Sequence, residues 1–353
     1  VSLCPSKFQN SEQKEGVIEM INVAVVGAGF MGSLHARCAA RDPRANLAGI
    51  VDTNAESGRA LAKRLDTKYL GTVDEALQED IDAFIVALPD RLHVETSVKL
   101  LRNGRSVLLE KPMADTLDGA IAIAEAASEG GGRLMIGHIL RFDPRYAMAA
   151  EAVHRGDIGE VVHVSAGRLG TQSIGLKLNG SSSVCFYIGV HDVDAVQWIT
   201  GKRIERVYSR AVSKIMPSQG VDSEDAIFST VELAGGAIGH LFFGWSRPDT
   251  GPFSIDGRFE IVGTKGTLEV DVRDHGLRIF GPDGYKIPDG QHWPEVYGEL
   301  NGDLQAEVGH FFESLESGEP FTMSVNDAVR AVAVNDAILR SVESGQPETV
   351  TEV

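Results

Sequence analysis

The sequence predicts an α/β chain in two parts: an N-terminal doubly wound parallel sheet, then a C-terminal α+β domain on a mostly antiparallel, open sheet. Three observations carry this. A short β-branched apolar run, Ile21 to Val26, meets a G-x-G-x-x-G turn and then a helical stretch. Strand-like and helix-like segments alternate at short spacing from there to about residue 140. From Arg141 onward, strand-like runs crowd together and Gly235-Gly236 marks a hairpin between two of them.

Each glycine of the first turn has its own task. Gly27 makes the tight turn, Gly29 lets the backbone approach a pyrophosphate, and Gly32 lets helix and strand pack closely. Phe30 and Met31 open the helix beside those phosphates, which face its free N–H groups. The helix runs to about Arg41. LAGIVD is the second strand, and its final Asp52 stands 20 residues after Gly32. A carboxylate there accepts hydrogen bonds from both ribose hydroxyls of an adenosine. No arginine follows directly to hold a 2′-phosphate, so the turn predicts NAD over NADP by at least about tenfold, or ~1.4 kcal/mol.

The remaining elements of the first part follow in order. AESGRALAKRLD and TVDEALQED read as helices, IDAFIVALP as a strand ending at Pro89, and HVETSVKLLRNG as a helix closed by Gly104. SVLLEKP is a strand, LDGAIAIAEAASEGG a helix and RLMIGHI the last strand of this doubly wound (Rossmann) sheet. In the second part, PRYAMAAEAVHRG and VHDVDAVQWITG read as helices. VVHVSAGRL, IERVYSRAV, DAIFSTVEL, AIGHLFFGW, RFEIVG, GTLEVDV and GLRIFG read as strands. DLQAEVGHFFESLESG and VNDAVRAVAVNDAILRSVESG are the closing helices, the latter with an apolar face wide enough to pack back on the first domain. The expected organisation is therefore an extension over 1–19, a cofactor domain over 20–140, a substrate and oligomerisation domain over 141–323, and a closing helix over 324–353.

Composition narrows the function. A 353-residue chain with 43% hydrophobic residues folds around sizeable cores. A net charge of −17 argues against nucleic acid and anionic membranes as partners. Cys4, Cys38 and Cys185 lie far apart without metal-ligand spacing, which points to a reduced, cytoplasmic setting and no bound metal. No apolar stretch approaches a membrane span, and residues 1–19 lack the apolar core of a secretory signal.

Three segments together carry a resemblance: ALPDRLHVETSVKLLRNGRSVLLEKPMADTLDGA with its Glu110-Lys111-Pro112 triplet, GVHDVDAVQW, and GRFEIVGTKGTLEV. With the glycine turn, they make the chain resemble the glucose-fructose oxidoreductase/inositol dehydrogenase/rhizopine catabolism family. The resemblance runs over about residues 20–345. It implies an NAD-dependent oxidoreductase acting on a CH–OH group of a sugar, polyol or cyclitol, inositol-dehydrogenase-like, with the active site between the domains. It also implies pairing through the second sheet into a homodimer or homotetramer.

Within that frame each candidate has a task. Lys111 ends a parallel strand on the ligand edge, where a cation lowers the cost of a developing alkoxide. His191 suits the general base, since an unperturbed imidazole titrates near neutrality. Asp194, three residues on, shares its helix face and is placed to orient the ring. Many family members carry Asp four residues before this histidine. Here Tyr187 stands there, as a hydrogen-bond donor to substrate, a stacking surface or a packing residue. Pro89, Asp90, His93 and Glu110 join the cofactor set. His138, Arg141, Arg168 and Trp245 join Lys111, Tyr187 and His191 in the substrate set, and a polar loop with Lys177 and Asn179 covers it. Two other readings compete with the dehydrogenase: a sugar-nucleotide dehydrogenase, which the tyrosine keeps open, and a non-catalytic NAD-binding regulator, against which the presence of both Lys111 and His191 speaks.

Overall fold

Six short apolar runs lie side by side in the first part of the chain: β1 (Ile21–Val26), β2 (Ala45–Val51), β3 (Lys68–Leu70), β4 (Ala83–Val86), β5 (Ser106–Glu110) and β6 (Leu134–Gly137). They form an all-parallel sheet of order β3-β2-β1-β4-β5-β6. β4 and β6 are buried at every residue, as strands covered on both faces must be. The covering helices are α1 (Phe30–Ala39), α2 (Ala55–Arg64), α3 (Val73–Leu77), α4 (His93–Arg102) and α5 (Leu117–Gly130). Local chemistry sets their starts. Asn54, Thr72 and Thr116 each accept backbone N–H bonds as side-chain caps of α2, α3 and α5. The strand order reverses between β1 and β4, so their carboxyl ends open the crevice in which such sheets bind ligands. The computed structural model describes residues 20–252, 254–282 and 284–353. The extension expected over 1–19, with Cys4, lies outside the described residues.

The second part begins with α6 (Pro144–Arg155), capped by Asp143, and the long strand β7 (Val161–Thr171). Next come α7 (Gln172–Leu178), a π-helical turn over Cys185–Gly189, and α8 (Val190–Thr200). β8 (Ile204–Val212), the short α9 (Ile215–Ser218), β9 (Ala226–Leu233), β10 (Ile238–Arg247), β11 (Ile255–Gly263) and β12 (Thr267–Asp271) follow. Two small hairpins, β13 (Ile279–Gly281) with β14 (Gly284–Lys286) and β15 (Glu295–Val296) with β16 (Glu299–Leu300), precede α10 (Asp303–Ser317), α11 (Val325–Ser344) and β17 (Glu348–Thr349). The sheet has the order β12-β11-β7-β10-β9-β8-β17 and is antiparallel except where β10 runs parallel to β7. Gly235 and Gly236 both have positive φ in the β9–β10 turn, as the Gly-Gly signal requires.

This sheet has two unlike faces. One packs on α8 and α11. The other leaves Tyr208, Val212, Phe228 and Ile238 exposed, with Phe228, His240 and Phe242 forming a ring cluster whose centroids are 5.5–5.9 Å apart. α11 touches α5 and β6 of the first part as well as β8 and α8 of the second, while α10 lies on α1. Among the described residues, no helix is long and apolar enough to cross a membrane.

Candidate active site

The glycine turn has the geometry of a phosphate cradle. Gly27 has φ +104°, and a methyl there would stand 2.3 Å from the Ala87 carbonyl oxygen. A methyl at Gly32 would stand 1.9 Å from the Gly27 carbonyl oxygen, so helix and turn are in backbone contact. A methyl at Gly29 would meet nothing within 4 Å, and no side chain caps the N-terminus of α1. An open, uncapped helix start fits a pyrophosphate. Asp52 accepts from the N–H of Ala28 at 2.6 Å and of Asn54 at 2.7 Å, which pins the turn beside the second strand. Arg59, the nearest alternative partner for a 2′-phosphate, stacks on Tyr69 with its guanidinium 4.6 Å from the ring centroid. These residues fit NAD, whose ribose hydroxyls Asp52 can take, better than NADP.

A cavity of about 470 Å³ opens from this turn into the space between the two sheets. It brings together Phe30 and Met31 from α1, Glu110 and Lys111 from the end of β5, Arg168 from β7, Tyr187 from the π turn and His191 from α8. A larger open groove, about 620 Å³ over Arg145, Met148 and Asp271, contains none of the candidates. Lys111 donates through Nζ to the Tyr187 carbonyl oxygen at 3.1 Å, and the same Nζ lies 4.6 Å from the Tyr187 ring centroid. The ammonium is therefore held by a carbonyl dipole and an aromatic face rather than by a carboxylate. The Lys111–Pro112 peptide is cis. Burial, and then the charges of Lys111 and Arg168, hold the His191 imidazole well below its usual range, so the resting ring is neutral.

Several expected contacts are corrected by the structure. Asp194 does not orient His191. It takes Arg141 through two bonds of 2.6 and 3.0 Å, with His138 Nδ1 at 3.4 Å, and Nδ1 of His191 is buried without a partner. Arg141 and His138 are both buried in that cluster and do not line the cavity. Burial, with Arg141 and Lys111 adding to it against Asp194, lowers the His138 imidazole. Arg168 reaches the cavity, but Asp192 engages its guanidinium at 2.8 and 2.9 Å, so it acts there as half of a buried ion pair. Trp245 is wholly buried and donates from Nε1 to the Glu224 carbonyl at 2.5 Å. It is a core residue and does not line this cavity. His93 is wholly buried too, with Nδ1 and Nε2 against the carbonyls of Pro112 and Leu88 at 2.8 and 2.9 Å. It clamps two strand-end loops together and is closed to a cofactor. Pro89 is exposed, and Asp90 accepts from Ser182 Oγ at 2.7 Å, which ties this loop to the second domain. The loop expected around Lys177 and Asn179 is the helix α7, ended by Asn179 at φ 50°, and Ile174 is the residue it sends to the cavity.

Sequence reasoning missed two groups. His292 and Trp293 line the cavity from the segment between β14 and β15, and no regular spacing marks them. Behind Lys111, His35 Nε2 meets Glu110 Oε1 at 2.7 Å, and Glu110 Oε2 accepts from the Lys111 N–H at 3.1 Å. Burial alone would raise the Glu110 carboxyl, but His35 and Lys111 outweigh it and hold it below the usual range. Glu307 of α10 completes this group, with all three side chains offering atoms within 4.8 Å of one another. It is wholly buried with neither oxygen partnered, and burial, then Glu110, push it well above the usual carboxylate range.

Comparison with known proteins agrees with this fold. Residues 21–138 match the model of an oxidoreductase family with an NAD-binding Rossmann fold, and residues 146–269 match the GFO/IDH/MocA C-terminal domain. An inositol 2-dehydrogenase of Rubrobacter xylanophilus is 29% identical over 348 residues, covering 95% of this chain and 94% of its own. The scyllo-inositol 2-dehydrogenase (NAD(+)) of Bacillus subtilis is 26% identical over 341 residues, 93% and 95% of the two chains. GenD2 from gentamicin A biosynthesis, solved in complex with NAD, superimposes with a TM-score of 0.84 at 26% identity, over 99% of this chain and 100% of that one.

Proposed function

From the premise that the chain belongs to the glucose-fructose oxidoreductase/inositol dehydrogenase/rhizopine catabolism (GFO/IDH/MocA) family, we propose that it transfers a hydride between NAD and a ring secondary alcohol of a cyclitol or sugar. One observation carries the reading: a single cavity is walled by the first turn of α1, by Lys111 and by His191. NAD, when bound, supplies the hydride acceptor. Lys111, fixed by Tyr187, stabilises negative charge on the substrate oxygen, and the neutral His191 accepts its proton. Ile174, Ile188 and Trp293 offer apolar surface to the C–H face of a ring. A cavity of about 470 Å³ that must also admit a nicotinamide suits one six-membered polyol ring better than a sugar bearing a nucleoside diphosphate.

The test is a screen of inositols, aldoses and nucleotide sugars for NAD reduction, with Lys111→Ala beside the wild type. Turnover with an unmodified cyclitol or sugar is expected, reduced ~10²–10³-fold in the variant with NAD affinity kept. An NAD-binding protein that turns over no alcohol overturns the reading in favour of a regulator.

The proposal extends to assembly and place. The exposed apolar face bearing Tyr208, Phe228 and Ile238 supports a homodimer, or a dimer of such dimers, paired sheet to sheet. The free, buried thiols of Cys38 and Cys185 suit a reducing compartment, the cytoplasm.

A further inference from the structure

His292 is built into the cavity wall with more care than a lining residue needs. Its turn is held from one side by Asp289, whose carboxylate accepts the backbone N–H groups of Gln291, His292 and Trp293, each at 3.0 Å. From the other side the start of α10 holds it: Asp303 and Leu304 donate to the carbonyls of Gln291 and His292 at 2.9 and 3.0 Å. Within that frame His292 Nδ1 lies 2.9 Å from Asp303 Oδ2, and Asp303 is 2% exposed. With Nδ1–H donated to the carboxylate, Nε2 is left as an acceptor on a ring that lines the cavity. The His292 side chain keeps 19% of its surface, enough to exchange a proton with water.

His191 lacks this support. Both neighbouring carboxylates are spent elsewhere, Asp192 on Arg168 and Asp194 on Arg141. The nearby cations Lys111 and Arg168 make an imidazolium there costly, so a proton taken by His191 has nothing to hold it. The charged and titratable groups around His292 include Asp303, Asp289, His275, whose ring lies 6.1 Å away and pairs with Asp289 at 3.4 Å, Asp143, and His191 across the cavity. Asp143, His292 and Asp303 lie close enough to ligate a cation, but Arg145 already occupies both oxygens of Asp143, from Nε and Nη2.

Resting on the dehydrogenase reading above, we infer that His292, oriented by Asp303, is a second catalytic acid–base of this cavity. The carbinol C–H pair leaves as hydride to NAD, the O–H pair becomes the second bond of the carbonyl, and the proton, taken first by His191, passes to Nε2 of His292 and on to solvent. In the reverse direction the same nitrogen returns it. Asp303 is a positioning residue: it fixes the tautomer and shares the positive charge.

Two measurements test this. In steady-state assays His292→Ala is expected to lower kcat ~10²–10³-fold while NAD affinity stays within about twofold, with partial rescue by added imidazole. His292→Gln, close in size, guards against a loss of fold, and Asp303→Asn should shift the acid limb of the kcat–pH profile. In the cofactor-free protein, ¹⁵N NMR of the ring should show Nδ1 protonated and Nε2 bare, with that preference lost in Asp303→Asn. Wild-type kcat in His292→Ala with only KM raised, or with only NAD affinity lost, overturns the inference and leaves the dehydrogenase reading standing. If the wild type oxidises no cyclitol or sugar, the dehydrogenase reading fails and the acid–base inference fails with it. A ring protonated at Nε2 rejects the dyad by itself.

Discussion

Alanine at each glycine of the turn should separate fold from cofactor binding. Gly29 has φ −73° and ψ −164°, allowed for any residue, and open space where its methyl would go. The folded-state cost of Gly29→Ala is then that of a poorer N-cap, under ~1 kcal/mol, or a few degrees of melting temperature. The methyl occupies the approach of the pyrophosphate, where overpacking costs ~1–3 kcal/mol, a ~5–150-fold rise in the NAD dissociation constant. Gly32→Ala meets a carbonyl oxygen at 1.9 Å and Gly27→Ala meets one at 2.3 Å, from a backbone at φ +104°. Neither obstacle is a side chain that can turn aside, so each should cost ~3 kcal/mol or more in stability. Thermal melts without cofactor and calorimetric NAD titration read the two effects apart. A folded Gly29→Ala protein with NAD affinity within about twofold of wild type refutes the placement of the pyrophosphate. A Gly32→Ala protein that melts like wild type refutes the packing.

Tyr187→Phe keeps the ring face and the carbonyl that hold Lys111, so kcat should be nearly unchanged. Tyr187→Ala removes the ring and should lower kcat ~2–30-fold, from ~0.5–2 kcal/mol of lost cation–π contact. A clear loss in Tyr187→Phe with NAD affinity intact means the hydroxyl bonds the substrate instead. For Glu307, the folded state holds its proton above the unfolded carboxyl value of about 4.3. The stability this proton brings is whole below that value and falls by up to ~1.4 kcal/mol per pH unit above it, until the buried group ionises too. Glu307→Gln should therefore gain in melting temperature over wild type as pH rises from about 5 to about 8. A gap that does not change with pH contradicts this. Light scattering at micromolar concentration should find a dimer or tetramer, and a monomer counts against sheet-to-sheet pairing.

Some of this was legible because it is local. The glycine turn, Asp52 and Lys111 owe their places to runs of neighbours, and strand length, cap and turn chemistry all agree there. What was not legible depends on long-range pairing. Arg141 and Asp194 are 53 residues apart, and only the docking of α8 decides that this carboxylate serves the arginine rather than His191. His292 and Asp303 meet because a turn folds back on the start of α10, which no periodicity announces. The polar, Gly- and Ser-rich stretch around Lys177 and Gly175 predicts a loop, where the chain forms α7. Yet that glycine is there because a methyl would meet Trp245 at 2.9 Å, so close packing outweighs propensity. Its strand-end place leaves Trp245 open as a cleft aromatic or a core filler, and α7 closing over β10 makes it core.

The parallel pairing of β7 with β10 bears on how the chain is born. A parallel neighbour cannot follow by a tight turn, and here residues 172–237 intervene, carrying the π turn, α8 and β9. β10 is the last of the three strands to leave the ribosome, yet it slots between the other two. Methyls at Gly189 and Gly175 would strike Phe243 and Trp245, so the segment bearing Tyr187 and His191 is seated on this late strand. Until Arg247 has emerged, that segment has no floor and β7 and β9 show open edges towards each other. The site thus depends on a non-local insertion, and the wall supplied by His292 and Trp293 is translated later still. Translation stalled short of that point leaves a nascent chain whose apolar strands depend on chaperones for cover.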